Sequence, residues 1–215
     1  MKIKQNSKLV MIGDSITDCG RAQPVGEGNS LGSGYVSIIS AMLGAVYPEQ
    51  RIRVVNVGTS GHTVTELKAR WKRDVIDLKP DWLSVMIGIN DVWRQFDMPL
   101  RKELHVPLSE YEKTLDALVA KTVRTVKGIV LMTPYYIEPI RQDAMRAKMD
   151  QYGEAVKRIA KKRGTLFVDT QAAFNAVLKY QHPNALAWDR VHPNLTGHAV
   201  IAKAFLDAVG FKWDR

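Results

Sequence analysis

The stretch Lys8-Leu9-Val10-Met11-Ile12-Gly13-Asp14-Ser15-Ile16-Thr17 sets the reading of the whole chain. Leu9 to Ile12 is a continuous apolar run with no polar alternation, so both of its faces need cover, as in a buried parallel strand. The run stops at Gly13-Asp14-Ser15, where small and polar residues predict a tight turn that lifts the Ser15 hydroxyl to the strand's carboxyl end. The same pattern recurs at Ile52 to Val57, Trp82 to Ile89, Ile129 to Met132 and Leu166 to Val168.

Helical patterns lie between these runs. Val64 to Leu78 puts Leu67, Trp71, Val75 and Leu78 on one stripe, and Ser109 to Val126 opens with Ser109 and Glu112 at capping-box spacing. Arg141 to Lys162 is a third helix, and Leu195 to Val209 closes the chain. Strands alternating with helices predict an α/β fold with a doubly wound parallel sheet of five strands. Gly20 to Gly34 and Phe96 to Pro107 read as loops of a length that is often functional. With no repeat, low-complexity tract or linker, residues 1–215 are expected to form one domain.

A net charge of +9 raises the question of nucleic acid. The densest basic run is Lys157, Arg158, Lys161, Lys162 and Arg163, interleaved with Val156, Ile159 and Ala160 at helical spacing. It reads as a solvated helix face ending at Gly164, and no finger, RNP or P-loop pattern supports a nucleic-acid partner. Cys19 is the single cysteine, which excludes an internal disulfide and fits a reducing compartment. No stretch approaches the roughly 20 apolar residues of a membrane span, so a cytoplasmic protein without a membrane partner is expected.

In an open α/β sheet, ligands bind outside the carboxyl ends of the strands. Segments distant in sequence meet there: 13–17 after the first strand, 56–61 at the end of the second, and 88–91 at the end of the third. Ser15 taken alone also suits a helix N-cap. A serine nucleophile needs a base, and Asp189 and His192, three residues apart, let a carboxylate hold one imidazole nitrogen while the other faces Ser15. By itself Asp-x-x-His equally suits a helix-start carboxylate beside a surface histidine. Acyl transfer also needs oxyanion donors. The candidates are the Ser15 N–H, the Asn90 amide, and the Gly58 N–H at a position where a side chain would obstruct substrate. His62, His105, His182 and His198 lack a comparable context and read as structural or exposed.

Gly13-Asp14-Ser15, Gly58, Gly88-Ile89-Asn90-Asp91 and Asp189-x-x-His192 together resemble, in order, the four blocks of the SGNH (GDSL) hydrolase family. Ile16 stands where the familiar tetrad has leucine, and Thr17 replaces the second glycine of the G-x-S-x-G elbow, unlike a typical α/β-hydrolase. The stretches GDSITDCGR, MIGINDVWRQFD, LMTPYYIE, LFVDTQAAFN and ALAWDRVHPN resemble the intracellular bacterial acetylxylan esterases within that family. The resemblance implies a three-layer α/β/α, flavodoxin-like SGNH hydrolase fold. It implies a Ser15–Asp189–His192 triad with Ser15, Gly58 and Asn90 as oxyanion hole. It also implies removal of O-acetyl groups from xylo-oligosaccharides through an acetyl-enzyme, with no metal or organic cofactor, by a homo-oligomer. Asp14, Trp93, Trp188 and Tyr135 are candidate substrate contacts, the aromatics because flat faces suit sugar rings, with a core or subunit contact the equal alternative for each aromatic. A general arylesterase, thioesterase or lysophospholipase would use the same apparatus. A magnesium-dependent phosphatase using Asp14 or Asp18 is disfavoured because, counted from Asp14, Ile16 occupies the place of the second aspartate. A non-catalytic carbohydrate-binding protein would be expected to have lost part of the constellation, and here every member is present.

Overall fold

The computed structural model describes residues 1–214. The five apolar runs form parallel strands: β1 (Lys8–Gly13), β3 (Arg53–Asn56), β4 (Trp82–Met86), β5 (Gly128–Met132) and β6 (Leu166–Val168). A short antiparallel edge strand, β2 (Gly26–Glu27), joins them, so the sheet among the described residues has six strands in the order β2-β3-β1-β4-β5-β6 rather than five. It lies inside the segment expected to be loop. The two residues carry no apolar pattern, and the strand exists through pairing with Val55 and Asn56.

The parallel strands have the flavodoxin-like order, whose topological switch falls between β1 and β4. Leu9 to Ile12 are 0% exposed, so the continuously apolar pattern does reflect cover on both faces. On one side α2 (Tyr35–Val46), α7 (Thr170–Val177) and α8 (Leu195–Ala208) pack together. On the other lie α3 (Val64–Trp71), α4 (Ile89–Asp97), α5 (Leu108–Thr122) and α6 (Ala144–Arg163). No helix among the described residues is long and apolar enough to cross a membrane.

Several local expectations change. Thr63 and Glu66 form a reciprocal capping box that starts α3, which then passes into a π-turn over Lys72–Ile76. Ser109 caps nothing: Pro107 holds the N-cap position of α5, and Glu112 instead pairs with Arg158 of α6. α6 ends at Gly164 in the left-handed conformation, as the sequence predicts. Arg158, Lys162 and Arg163 bridge to α5, the last two both on Asp116, and Lys157 pairs with Glu154 of α6 itself, so the charge run is a largely paired, solvated helix face.

Candidate active site

β1 delivers the chain to a one-turn helix, α1 (Ser15–Asp18), and Asp14 caps it by accepting from the Ile16 N–H at 3.0 Å. This local cap aims Ser15 at the rim. Asn56, at the end of β3, anchors the same turn by donating to Thr17 O at 2.6 Å and to Leu31 O at 2.8 Å. Asp18 accepts from the Ser60 N–H and hydroxyl, at 3.1 and 2.9 Å, which ties the β3–α3 loop beside it.

The base arrives from the turn before α8. Asp189 Oδ1 accepts from the N–H groups of Val191 and His192 at 3.0 and 2.8 Å, which folds the four residues into a rigid hook. Its other oxygen meets His192 Nδ1 at 2.7 Å, and His192 Nε2 lies 3.0 Å from Ser15 Oγ. The carboxylate places the imidazole proton on Nδ1, leaving Nε2 to accept from the serine hydroxyl. Burial opposes ionisation of Asp189, but the His192 ring and the two N–H donors outweigh it and hold its pKa below the ordinary carboxylate value. The hook is braced from outside by Tyr135 Oη donating to Val191 O at 3.1 Å, Ile137 N–H donating to Arg190 O at 2.9 Å, and an ion pair between Arg190 and buried Glu138. Arg190 adopts φ 63°, a left-handed conformation uncommon for a side-chain-bearing residue, and these contacts hold it there.

The sheet thus brings Ser15, Asp189 and His192 into one hydrogen-bonded chain from positions 177 residues apart. Asn90 is the second residue of α4, beside the β3–α3 loop, and spends one amide hydrogen on His62 O at 3.0 Å, the other having no partner among the described residues. The Ser15 N–H has no protein partner among the described residues. Gly58 departs from expectation. Its N–H donates to Asn56 Oδ1 at 2.9 Å and is not available as an oxyanion donor. The reason for glycine there also differs: a Cβ would meet Asp18 N at 2.3 Å and Thr17 C at 2.6 Å, so the residue is small to let α1 approach, not to admit substrate. Three residues on, Gly61 is exposed at φ +79°, and its N–H has no protein partner among the described residues. The second glycine in Gly58-Thr59-Ser60-Gly61, just ahead of the Thr63 cap, was the available signal for it.

Of the candidate substrate contacts, two are displaced. Tyr135 is 1% exposed and packs at a tilt against Phe174 in the core, so it supports the His192 hook and cannot face a sugar. Asp14 is buried as the α1 cap, and that burial pushes its carboxyl up to about 7 against the Ile16 N–H and the charges of His192 and Arg70. Trp93 stays at the rim, edge-on to the His192 ring at 5.5 Å, and Trp188 is 84% exposed next to Asp189. His198 is a buried structural residue: Nδ1 accepts from the Tyr35 N–H at 3.2 Å and Nε2 faces Cys19 Sγ at 3.1 Å.

Residues 11–200 match the GDSL-like lipase/acylhydrolase family. The whole chain is 63% identical to an acetylxylan esterase from Geobacillus stearothermophilus, over 217 aligned residues that span 100% of this chain and 99% of that one. The crystal structure of an acetylxylan esterase from the same organism superposes with a TM-score of 0.99 at 63% identity, covering 100% of this chain and 99% of that chain. A variant of it is described as an acetyl-xylooligosaccharide esterase. An α/β hydrolase enzyme from the metagenome of Lake Arreo, Spain, superposes with a TM-score of 0.96 at 58% identity over 98% of both chains.

Proposed function

This chain belongs to the GDSL-like lipase/acylhydrolase family, and from that premise we propose that it is a serine carbohydrate esterase removing O-acetyl groups from xylo-oligosaccharides. The observation that carries the chemistry is the continuous path from Asp189 Oδ2 through His192 to Ser15 Oγ, with links of 2.7 and 3.0 Å. His192 Nε2 takes the Ser15 proton as Oγ bonds to the acetyl carbonyl carbon, and the carbonyl π electrons move onto oxygen. The N–H groups of Ser15 and Gly61 and the free amide hydrogen of Asn90 receive that oxyanion, with Gly61 in the role first expected of Gly58. His192 returns the proton to the sugar oxygen as the ester bond breaks, leaving an acetyl-enzyme. A water deprotonated by His192 then releases acetate and restores Ser15.

The carbohydrate side of the reading is supported by the full-length likeness to acetylxylan esterases and by Trp93 and Trp188 at the mouth. It takes residues 1–215 as one SGNH hydrolase domain in a cytoplasmic homo-oligomer; the exposed Tyr180 and Trp213 support self-association. The test is acetate release from acetylated xylo-oligosaccharides, set beside aryl acetate, aryl octanoate and acetylated glucose. The xylo-oligosaccharides are the preferred substrates, and Ser15→Ala releases no acetate while melting at the same temperature. Turnover surviving in Ser15→Ala would end the mechanism, and a preference for octanoyl would end the sugar assignment.

A further inference from the structure

The three oxyanion donors of the proposed reaction sit on separate chain segments; one side chain outside the triad touches two of those segments and is linked to the third through His62. Arg70 of α3 is 6% exposed. Its Nη2 donates to Gly13 O at 2.6 Å, Nη1 to Val57 O at 2.6 Å and to Asp74 Oδ2 at 2.9 Å, and Nε to His62 Nδ1 at 3.1 Å. Gly13 lies two residues before Ser15, and Val57 opens the loop that runs to Gly61. His62 follows Gly61, and its carbonyl is the atom that holds the Asn90 amide at 3.0 Å. Burial and the adjacent guanidinium lower the His62 pKa, which keeps Nδ1 a lone-pair acceptor. Asp74 balances the buried cation and is itself bound by Arg73. A compact ammonium cannot span two strand ends and an imidazole at once, whereas the rigid guanidinium fork does.

We infer that Arg70 is a positioning residue for acyl transfer, its buried fork fixing the Ser15, Gly61 and Asn90 donors relative to one another through Gly13, Val57 and His62. This rests on the acyl-transfer reading above. Arg70 reaches no substrate atom and acts through the segments it joins. An oxyanion is held tightly only when all donors converge on the position it occupies in the transition state, so their misplacement lowers kcat more than it raises KM.

The experiment compares Arg70→Lys, Asn90→Ala and their double variant in acetate release from an aryl acetate, with inhibition by phenylboronic acid, whose Ser15 adduct mimics the tetrahedral intermediate. Arg70→Lys lowers kcat by about 10- to 100-fold, with KM held within about twofold, the scale expected for an ångström-level displacement. The boronic acid inhibition constant rises in parallel. The double variant falls short of the product of the two single losses by at least about threefold, because both changes act on one constellation. Leu118→Ala, a core truncation on α5, lowers the melting temperature without this kcat loss and so separates positioning from general destabilisation. Should Arg70→Lys fail to fold, His62→Ala cuts the Nε link alone and lowers kcat by about threefold or more at unchanged KM. Unchanged kcat in Arg70→Lys or, where that variant does not fold, in His62→Ala overturns the inference, as does a fully multiplicative double variant. Activity in Ser15→Ala would instead overturn the acyl-transfer reading itself.

Discussion

Asp189→Asn isolates one proton. Asp189 Oδ1 accepts from two backbone N–H groups at 2.8 and 3.0 Å, and Oδ2 faces His192 Nδ1 at 2.7 Å. An asparagine in the same rotamer has two orientations. With its oxygen toward the backbone donors, its NH2 faces His192 and the ring proton must move to Nε2, the nitrogen that should accept from Ser15. With the amide flipped, the ring keeps its working tautomer, but the NH2 is pressed against two N–H groups. Leaving two buried donors without an acceptor costs about 2–6 kcal/mol, far more than a change of imidazole tautomer, and the side chain at 189 is only 12% exposed to water. The first orientation therefore wins, and the enzyme is folded with its base reversed. By analogy with the same substitution in a serine protease triad, kcat drops about 10⁴-fold, or about 5 kcal/mol of barrier. Acetate release at neutral pH gives kcat, and ¹⁵N shifts of His192 report the tautomer. A variant with the proton still on Nδ1, or with more than about a tenth of the parent's kcat, would refute the reasoning.

Asn90→Ala removes one oxyanion donor and is expected to lower kcat about 10²- to 10³-fold with little effect on melting temperature; a loss below about tenfold removes Asn90 from the oxyanion hole. Gly58→Ala drives a Cβ to 2.3 Å from Asp18 N and is expected to destabilise by about 1–3 kcal/mol or more, whereas Gly61→Ala meets no atom within 4 Å and costs only the left-handed backbone, about 1–2 kcal/mol. Chemical denaturation separates the two, and a larger loss at position 61 contradicts the packing given for Gly58. Burial raises the Asp91 carboxyl from 3.8 to about 8, so between about pH 4 and 8 the folded chain keeps a proton that the unfolded chain has lost, and stability falls as pH rises through that window. Asp91→Asn removes this slope of about 1.4 kcal/mol per pH unit, so from pH 5 to 7 its stability relative to the parent improves by about 2–3 kcal/mol; a constant difference across that range refutes the assignment.

The parts of the molecule legible in the sequence are those where a residue's chemistry and its place in the chain coincide. Strands buried on both faces must be apolar almost throughout, so β1, β4 and β5 announce themselves, Ser84 at the centre of β4 notwithstanding. Ser15 and the Asp189–His192 pair are legible for a similar reason, since a nucleophile after a strand and a carboxylate three residues from an imidazole are rare combinations of reactive groups. α2 is hidden because YVSIISAMLGAV is apolar and β-branched nearly all round and offers no polar face. Tyr135 misleads because Thr133 and Pro134 break the strand's alternation just before it, and only the packed structure turns its ring inward to Phe174 and its hydroxyl to Val191 O.

The glycine exchange shows where reading by residue type stops. Gly58 and Gly61 are chemically identical and lie in one stretch of small residues, and what separates them is where Asn56 aims its carbonyl oxygen. That bond joins a side chain to the backbone N–H of the second residue beyond it, and no hydrophobic period records it. The same holds for Arg70. It lies three residues after Leu67 and one before Trp71, on the flank of the stripe that packs against the sheet, so its phase alone favours burial. Its four acceptors come from β1, from the residue after β3, from the loop that follows and from the π-turn. Asp74 is an i,i+4 neighbour on the same helical segment, but Gly13 and Val57 come together only once β1 and β3 lie side by side. A sequence displays the groups that move protons, because their chemistry is unusual. The groups that hold them in place are ordinary polar residues whose partners the fold alone supplies, and a search for function that stops at reactive side chains will miss them.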